Sequence, residues 1–168
     1  SNMAAGQVAI ALNLHGPSSC MVTACASGAN CIGDAFRAIQ RGDADVMFAG
    51  GSEAAVSPAG VAGFGAMKAL CTDHNDDPAH ASRPFDKNRS GFVMGEGAGA
   101  LLLKPLSQAK KDGDKIYAVV RSVGLSSDGK GKGITAPNPE GQKLAIQRAF
   151  EGLEYGPKDI GLMEAHGT

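Results

Sequence analysis

Apolar positions at Ile32, Ala35, Phe36 and Ile39 recur at the spacing that places them on one helix face, and Gly42 stops the run. This pattern predicts a helix over residues 29–41. A second helix is expected over 141–153, where Leu144, Ala145, Ala149 and Phe150 share a face. Shorter helices are expected over 58–70 and 107–112. Between them, short apolar runs read as strands over 18–22, 44–49, 99–104, 117–124 and 160–165, the last delivering His166 at its C-terminal end. The stretch 72–90 carries two prolines and many charges without a period, so it reads as a surface loop. Strands alternating with helices argue for an α/β layered domain.

Composition narrows the function classes. The chain is 43% hydrophobic and 20% charged with a net charge of −1, which offers no basic field for nucleic acid or an anionic membrane. No apolar run approaches the roughly 20 residues that span a bilayer, and no signal peptide is visible, so a cytoplasmic protein is expected. Ser1 and Asn2 before Met3 read as a remnant of tag removal and are set aside. The cysteines at 20, 25, 31 and 71 lack paired metal-ligand spacing, so neither zinc nor disulfides are expected. The 24 glycines suit layers whose backbones approach closely.

Cys25 is the candidate nucleophile. It sits in Val22-Thr23-Ala24-Cys25-Ala26-Ser27-Gly28, with small residues around it and a helical pattern just after it. Unsatisfied N–H groups and the positive end of the helix dipole favour an anion there, and with it the reactive thiolate. A cysteine among alanines can also be a small buried hydrophobe, and the thiol alone does not decide between the two. Gly95-Glu96-Gly97-Ala98-Gly99 is glycine-rich but leads into a strand rather than joining a strand to a helix, so it is not read as a phosphate loop.

The segments around Cys25 decide the matter together, because they resemble the β-ketoacyl-acyl carrier protein synthases, the decarboxylating condensing enzymes of fatty acid and polyketide synthesis. Gly16-Pro17 and the run from Val22 to Gly28 are similar to the family's nucleophile motif. Gly42 to Val46 and Ala49 to Glu53 look like its next strand and turn. Arg83-Pro84-Phe85-Asp86 with Gly91 to Gly99 resembles a further signature, and Glu164-Ala165-His166-Gly167-Thr168 the start of the histidine-glycine-threonine motif. The chain resembles the discrete bacterial elongating synthase rather than a modular polyketide synthase domain.

The resemblance implies a partial thiolase-like, layered α-β-α fold covering the end of the first half and the start of the second. Residues 3–112 would belong to the first half and 113–168 to the second, with the join near Lys110 to Lys115 and 1–2 outside both. It implies an acyltransferase in which Cys25 carries the acyl group and His166 hydrogen-bonds the malonyl thioester carbonyl as enolate charge develops. Phe64 matches an acyl-pocket position, though it can equally be core. Thr135 and Thr168 match positions that bind the pantetheine arm, and as turn residues they have a nearly equal structural claim. No resident cofactor is implied, since the phosphopantetheine arm arrives on the acyl carrier protein. The implied partners are that carrier, bearing acyl and malonyl groups, and a second copy of the chain in a dimer that pairs through 18–22.

Family members are longer and carry a lysine, a second histidine and a glycine-rich loop that match nothing in this sequence. The chain alone is therefore expected to be an inactive middle fragment, and the alternatives are a non-catalytic self-associating α/β module or a thiolase-type relative. His15, His74 and His80 are read as solvated. Glu96 is expected to hold its loop by buried hydrogen bonds, and Lys104, where the family commonly has glutamate, to alter only a surface charge.

Overall fold

The computed structural model describes residues 2–131, 133 and 136–166. Its helices are α1 (Met3–Ala11), α2 (Ser27–Arg41), α3 (Pro58–Ala66), α4 (Leu106–Asp112) and α5 (Pro139–Phe150). Its strands, β1 (Met47–Glu53) and β2 (Gly97–Leu103), pair in a two-stranded sheet. Among the described residues no helix is long and apolar enough to cross a membrane.

Local chemistry sets the helix ends. Gly42 adopts a left-handed φ of 77° and returns its N–H to the carbonyls of Ala38 and Ile39, closing α2. Gly113, at φ 72°, closes α4 in the same way. The Ser57 hydroxyl accepts from the Gly60 N–H at 3.2 Å, and Asn138 accepts from the Glu140 N–H at 3.1 Å; both precede a proline that opens α3 or α5. The expected helix over 58–70 ends early because Lys68 turns to a positive φ of 55°. Unforeseen was α1, in which alanine's propensity substitutes for a polar and apolar face.

Three expected strands are absent. Residues 18–22, 117–124 and 160–165 take no part in a β-ladder, because a strand requires a neighbour to exchange hydrogen bonds with and none of these segments has one among the described residues. The segment 122–126 instead binds α5 through side chains. The Ser122 hydroxyl donates to the Ala149 carbonyl, Ser126 to the Gly141 carbonyl at 2.6 Å, and Arg148 reaches back to the Leu125 carbonyl at 2.6 Å.

The chain divides into two compact units, one holding the residues up to Gly50 with Ala100–Leu162, the other Gly51–Gly99 with the residues from Met163. In the first, Ala35 and Ala38 on α2, Ala49 on β1 and Ala109 on α4 are buried. Alanine and glycine dominate there because neighbours come close to the backbone: a Cβ on Gly33 of α2 would meet the Val123 side chain (Cγ1) at 2.8 Å, and one on Gly124 would meet the Ala149 backbone (Cα) at 2.9 Å. Large apolar side chains remain outside this core, Tyr117 at 85% and Leu162 at 86% exposure. In the second unit an isolated bridge joins Leu70 to Phe92, and Ala81 is buried.

Two expectations about charged residues are corrected. Glu96 does hold a loop, accepting from the Val56 N–H at 2.9 Å, but it does so at an exposed position. Lys104 is more than a surface charge: its side chain is only 20% exposed and its ammonium donates to Asp112 and, at 2.6 Å, to Asp114. It thereby ties the residue after β2 to the end of α4.

Candidate functional site

Cys25 is exposed and lies two residues before the first residue of α2, in a tight turn whose backbone is unusual at one point. Ala24 has a φ of 51°, a left-handed conformation that costs an L-residue with a Cβ roughly 1–2 kcal/mol. Two successive turns follow, Ala26 N–H to Thr23 O at 3.2 Å and Ser27 N–H to Ala24 O at 3.0 Å. Side chains brace them. The Ser27 hydroxyl accepts from the Thr23 N–H at 2.8 Å and donates to the Ala24 carbonyl at 2.7 Å. The Asn30 amide, one turn into the helix, donates to the Thr23 hydroxyl at 2.7 Å. The thiol is thus presented on a sharp bend that opens a helix, the arrangement that exposes a nucleophile.

His166 belongs to the second unit and is exposed. With Arg83, Arg89, Phe92 and Val93 it lines a shallow groove in that unit. The guanidiniums are fixed by backbone carbonyls: Arg83 donates Nε and Nη2 to His80 O at 2.9 and 2.6 Å, and Arg89 donates Nη1 to Asp86 O at 2.9 Å. Phe64, on α3, meets Phe92 edge to face with centroids 5.2 Å apart. The structure therefore brings Phe64 and His166 into one neighbourhood through Phe92, while Cys25 is part of the first unit. Thr135 and Thr168 lie outside the described residues.

Of the remaining histidines, His80 pairs with Asp77 at 2.9 Å and His15 bonds Asn13 at 3.1 Å, both at exposed positions. Sequence reasoning missed Ser27 and Asn30. A hydroxyl residue at the mouth of a helix is a recognised capping signal that could have drawn attention to Ser27. Asn30 carried no comparable signal, since its partner Thr23 is seven residues away. Phe92 was also overlooked as the residue that touches Phe64.

Comparison with known proteins agrees with the motifs. The model of the β-ketoacyl synthase N-terminal domain matches residues 1–109, and that of the C-terminal domain matches 117–168. Over 99% of this chain and 40% of its own length, the 3-oxoacyl-[acyl-carrier-protein] synthase 2 of Rhizobium meliloti (strain 1021) is 50% identical. The Staphylococcus aureus synthase of the same name is 48% identical over 99% of this chain and 41% of its own. The chain thus spans about 40% of the length of these curated relatives. Among solved structures, an oxazolomycin ketosynthase domain from Streptomyces albus JA3453 superposes with a TM-score of 0.91 at 37% identity, covering 99% of this chain and 29% of that one. A type II polyketide ketosynthase in complex with its acyl carrier protein gives a TM-score of 0.84 at 30% identity, covering 92% of this chain and 38% of that one.

Proposed function

The chain belongs to the β-ketoacyl synthase family, and on that premise we propose that the protein it represents catalyses decarboxylative Claisen condensation of an acyl thioester with malonyl-acyl carrier protein. The observation that carries the proposal is the exposed thiol of Cys25 on its braced turn at the start of α2. The Cys25 thiolate attacks the acyl thioester carbonyl, a bond forms to Sγ, and the pantetheine sulfur leaves and takes up a proton. Malonyl-acyl carrier protein then loses carbon dioxide, and the resulting carbanion attacks the acyl-Cys25 carbonyl. The bond to Sγ breaks and the product leaves two carbons longer.

His166 donates a hydrogen bond to the malonyl thioester oxygen as charge develops on it, and Phe64 lines the acyl pocket, supported by Phe92. Thr135 and Thr168 hold the pantetheine arm. This chemistry draws on no resident cofactor, because the arm is part of the substrate. The carrier is proposed as partner because a related ketosynthase has been captured with its own carrier. The same reading places the join of the two halves near Lys110 to Lys115, the working protein in the cytoplasm, and two copies in contact through residues 18–22.

Intact and tandem mass spectrometry after exposure to an acyl-pantetheine thioester tests this reading. Acylation of Cys25 in preference to Cys20, Cys31 and Cys71, abolished by Cys25→Ala, is the expected result; equal labelling of all four would overturn it. A second reading, in which these 168 residues alone act as a non-catalytic self-associating module, draws support from the exposed Tyr117 and Leu162. Light scattering that shows a clean monomer at high concentration would count against it.

A further inference from the structure

We infer that Ser27, backed by Asn30, is a positioning residue for the Cys25 thiol; the inference rests on the reading of Cys25 as the nucleophile. The backbone before the thiol must reverse sharply, and it does so at Ala24, whose φ of 51° is one that alanine does not hold by preference. A strained conformation persists only where its surroundings over-determine it. The surroundings here are few and identifiable. One hydroxyl, that of Ser27, uses its single proton on the carbonyl of Ala24 at 2.7 Å and a lone pair on the N–H of Thr23 at 2.8 Å. Both groups belong to the strained bend itself, one residue and two residues before Cys25.

Asn30 completes the brace. Its amide donates to the Thr23 hydroxyl at 2.7 Å, and its own N–H bonds the Ala26 carbonyl at 2.9 Å as part of the first helical turn. The regular geometry of α2 is thereby transmitted to the bend, and the direction of the Cys25 side chain follows from it. Neither Ser27 nor Asn30 needs to touch substrate. Both are half-buried while Cys25 is exposed. Removing the Ser27 hydroxyl frees Ala24 to relax to a negative φ, which turns the thiol away from its presented direction.

The test compares Ser27→Ala, Ser27→Thr and Asn30→Ala in the full chain, with two probes of Cys25: acylation by octanoyl-pantetheine and alkylation by iodoacetamide, each located by tandem mass spectrometry. Ser27→Ala is expected to lower the maximal acylation rate about tenfold, the effect of about 1.4 kcal/mol, while the half-saturating thioester concentration stays unchanged. Ser27→Thr keeps the hydroxyl and should restore most of the rate, and Asn30→Ala should give a smaller loss. Circular dichroism fixes the folded fraction, by which each rate is normalised. Equal normalised rates in wild type and Ser27→Ala, or a threonine variant no better than the alanine one, would overturn the inference. Should wild-type Cys25 be alkylated but never acylated, the proposed function fails, and the ratio of alkylation rates still decides whether Ser27 positions the thiol.

Discussion

Substituting Gly124 by alanine probes the contact that replaces an expected strand. A Cβ at this position would stand 2.9 Å from the Ala149 Cα and closer still to the Ala145 carbonyl oxygen and the Ala149 nitrogen. All three are helix backbone, which cannot swing aside as a flexible side chain would, so segment 122–126 must lift away from α5. Overpacking of this kind costs about 1–3 kcal/mol. The lift also stretches two hydrogen bonds, from Ser122 to Ala149 O and from Ser126 to Gly141 O, each worth about 0.5–1.5 kcal/mol. The sum is a loss of roughly 2–6 kcal/mol, a large share of a marginal stability. Gly6, inside α1 with nothing within 4 Å of its notional Cβ, is the control. There alanine should stabilise by about 0.5–1 kcal/mol through helix propensity alone. Urea titration followed by circular dichroism measures both. A Gly124→Ala midpoint equal to that of the wild type would show that the close approach to α5 does not exist in solution.

Three further outcomes are expected. Hydrogen bonds from Lys104 and then Gln108 hold the Asp112 carboxyl below its ordinary 3.8, while bonds to Asp112 and Asp114 raise Lys104 above its ordinary 10.5. The carboxylate's contribution is therefore fully present above 3.8 and lost as pH falls through the lowered value; the ammonium's is fully present below 10.5 and lost as pH rises through the raised one. The difference in melting temperature between wild type and Lys104→Gln should be flat from about pH 5 to 9 and shrink toward both extremes; a pH-independent difference would contradict the ion-pair origin. Phe64→Ala removes an edge-to-face contact at 5.2 Å worth about 0.5–1.5 kcal/mol beyond burial, and should lower the urea midpoint and shift acyl-chain preference in competition assays. If the proposed condensation is the protein's reaction, His166→Ala should reduce malonyl decarboxylation by about 10²–10³-fold, the effect of losing one oxyanion donor, and leave acylation of Cys25 intact. Parallel loss of acylation would assign His166 to a structural role.

What could be read from the residues was local. Helices α2 and α5 were legible because apolar spacing and Gly42 declare a helix without reference to any other segment. Even there the ends moved by a few residues, since caps such as Asn138 lie outside the apolar period. Segment 117–124 has the composition of a strand, yet composition cannot supply the neighbour that makes one; instead the Ser122 hydroxyl donates to the Ala149 carbonyl of α5. The carboxylates that hold Lys104 lie 8 and 10 residues further along the chain, at the end of α4 and just beyond it, whereas Lys104 follows β2, so the period of no single element relates them.

The nucleophile region shows the same limit at finer scale. The motif from Val22 to Gly28 marks Cys25, and crowding by small residues says that something must approach it. Nothing in the letter for alanine announces that Ala24 adopts a positive φ, because that conformation is imposed on it. The imposition comes from two polar side chains that follow the thiol in sequence and brace the backbone before it in space. Small residues and polar braces therefore divide the work: Ala24 and Ala26 leave the approach open, and Ser27 and Asn30 supply the rigidity that small residues cannot. A variant that enlarges Ala26 should obstruct the thioester without disturbing the bend, whereas one that removes the Ser27 hydroxyl should disturb the bend without obstructing the approach. The first raises the thioester concentration needed for half-maximal acylation, the second lowers the maximal rate, and observing the two effects in the same variant would mean that shape and rigidity at this turn are not separable.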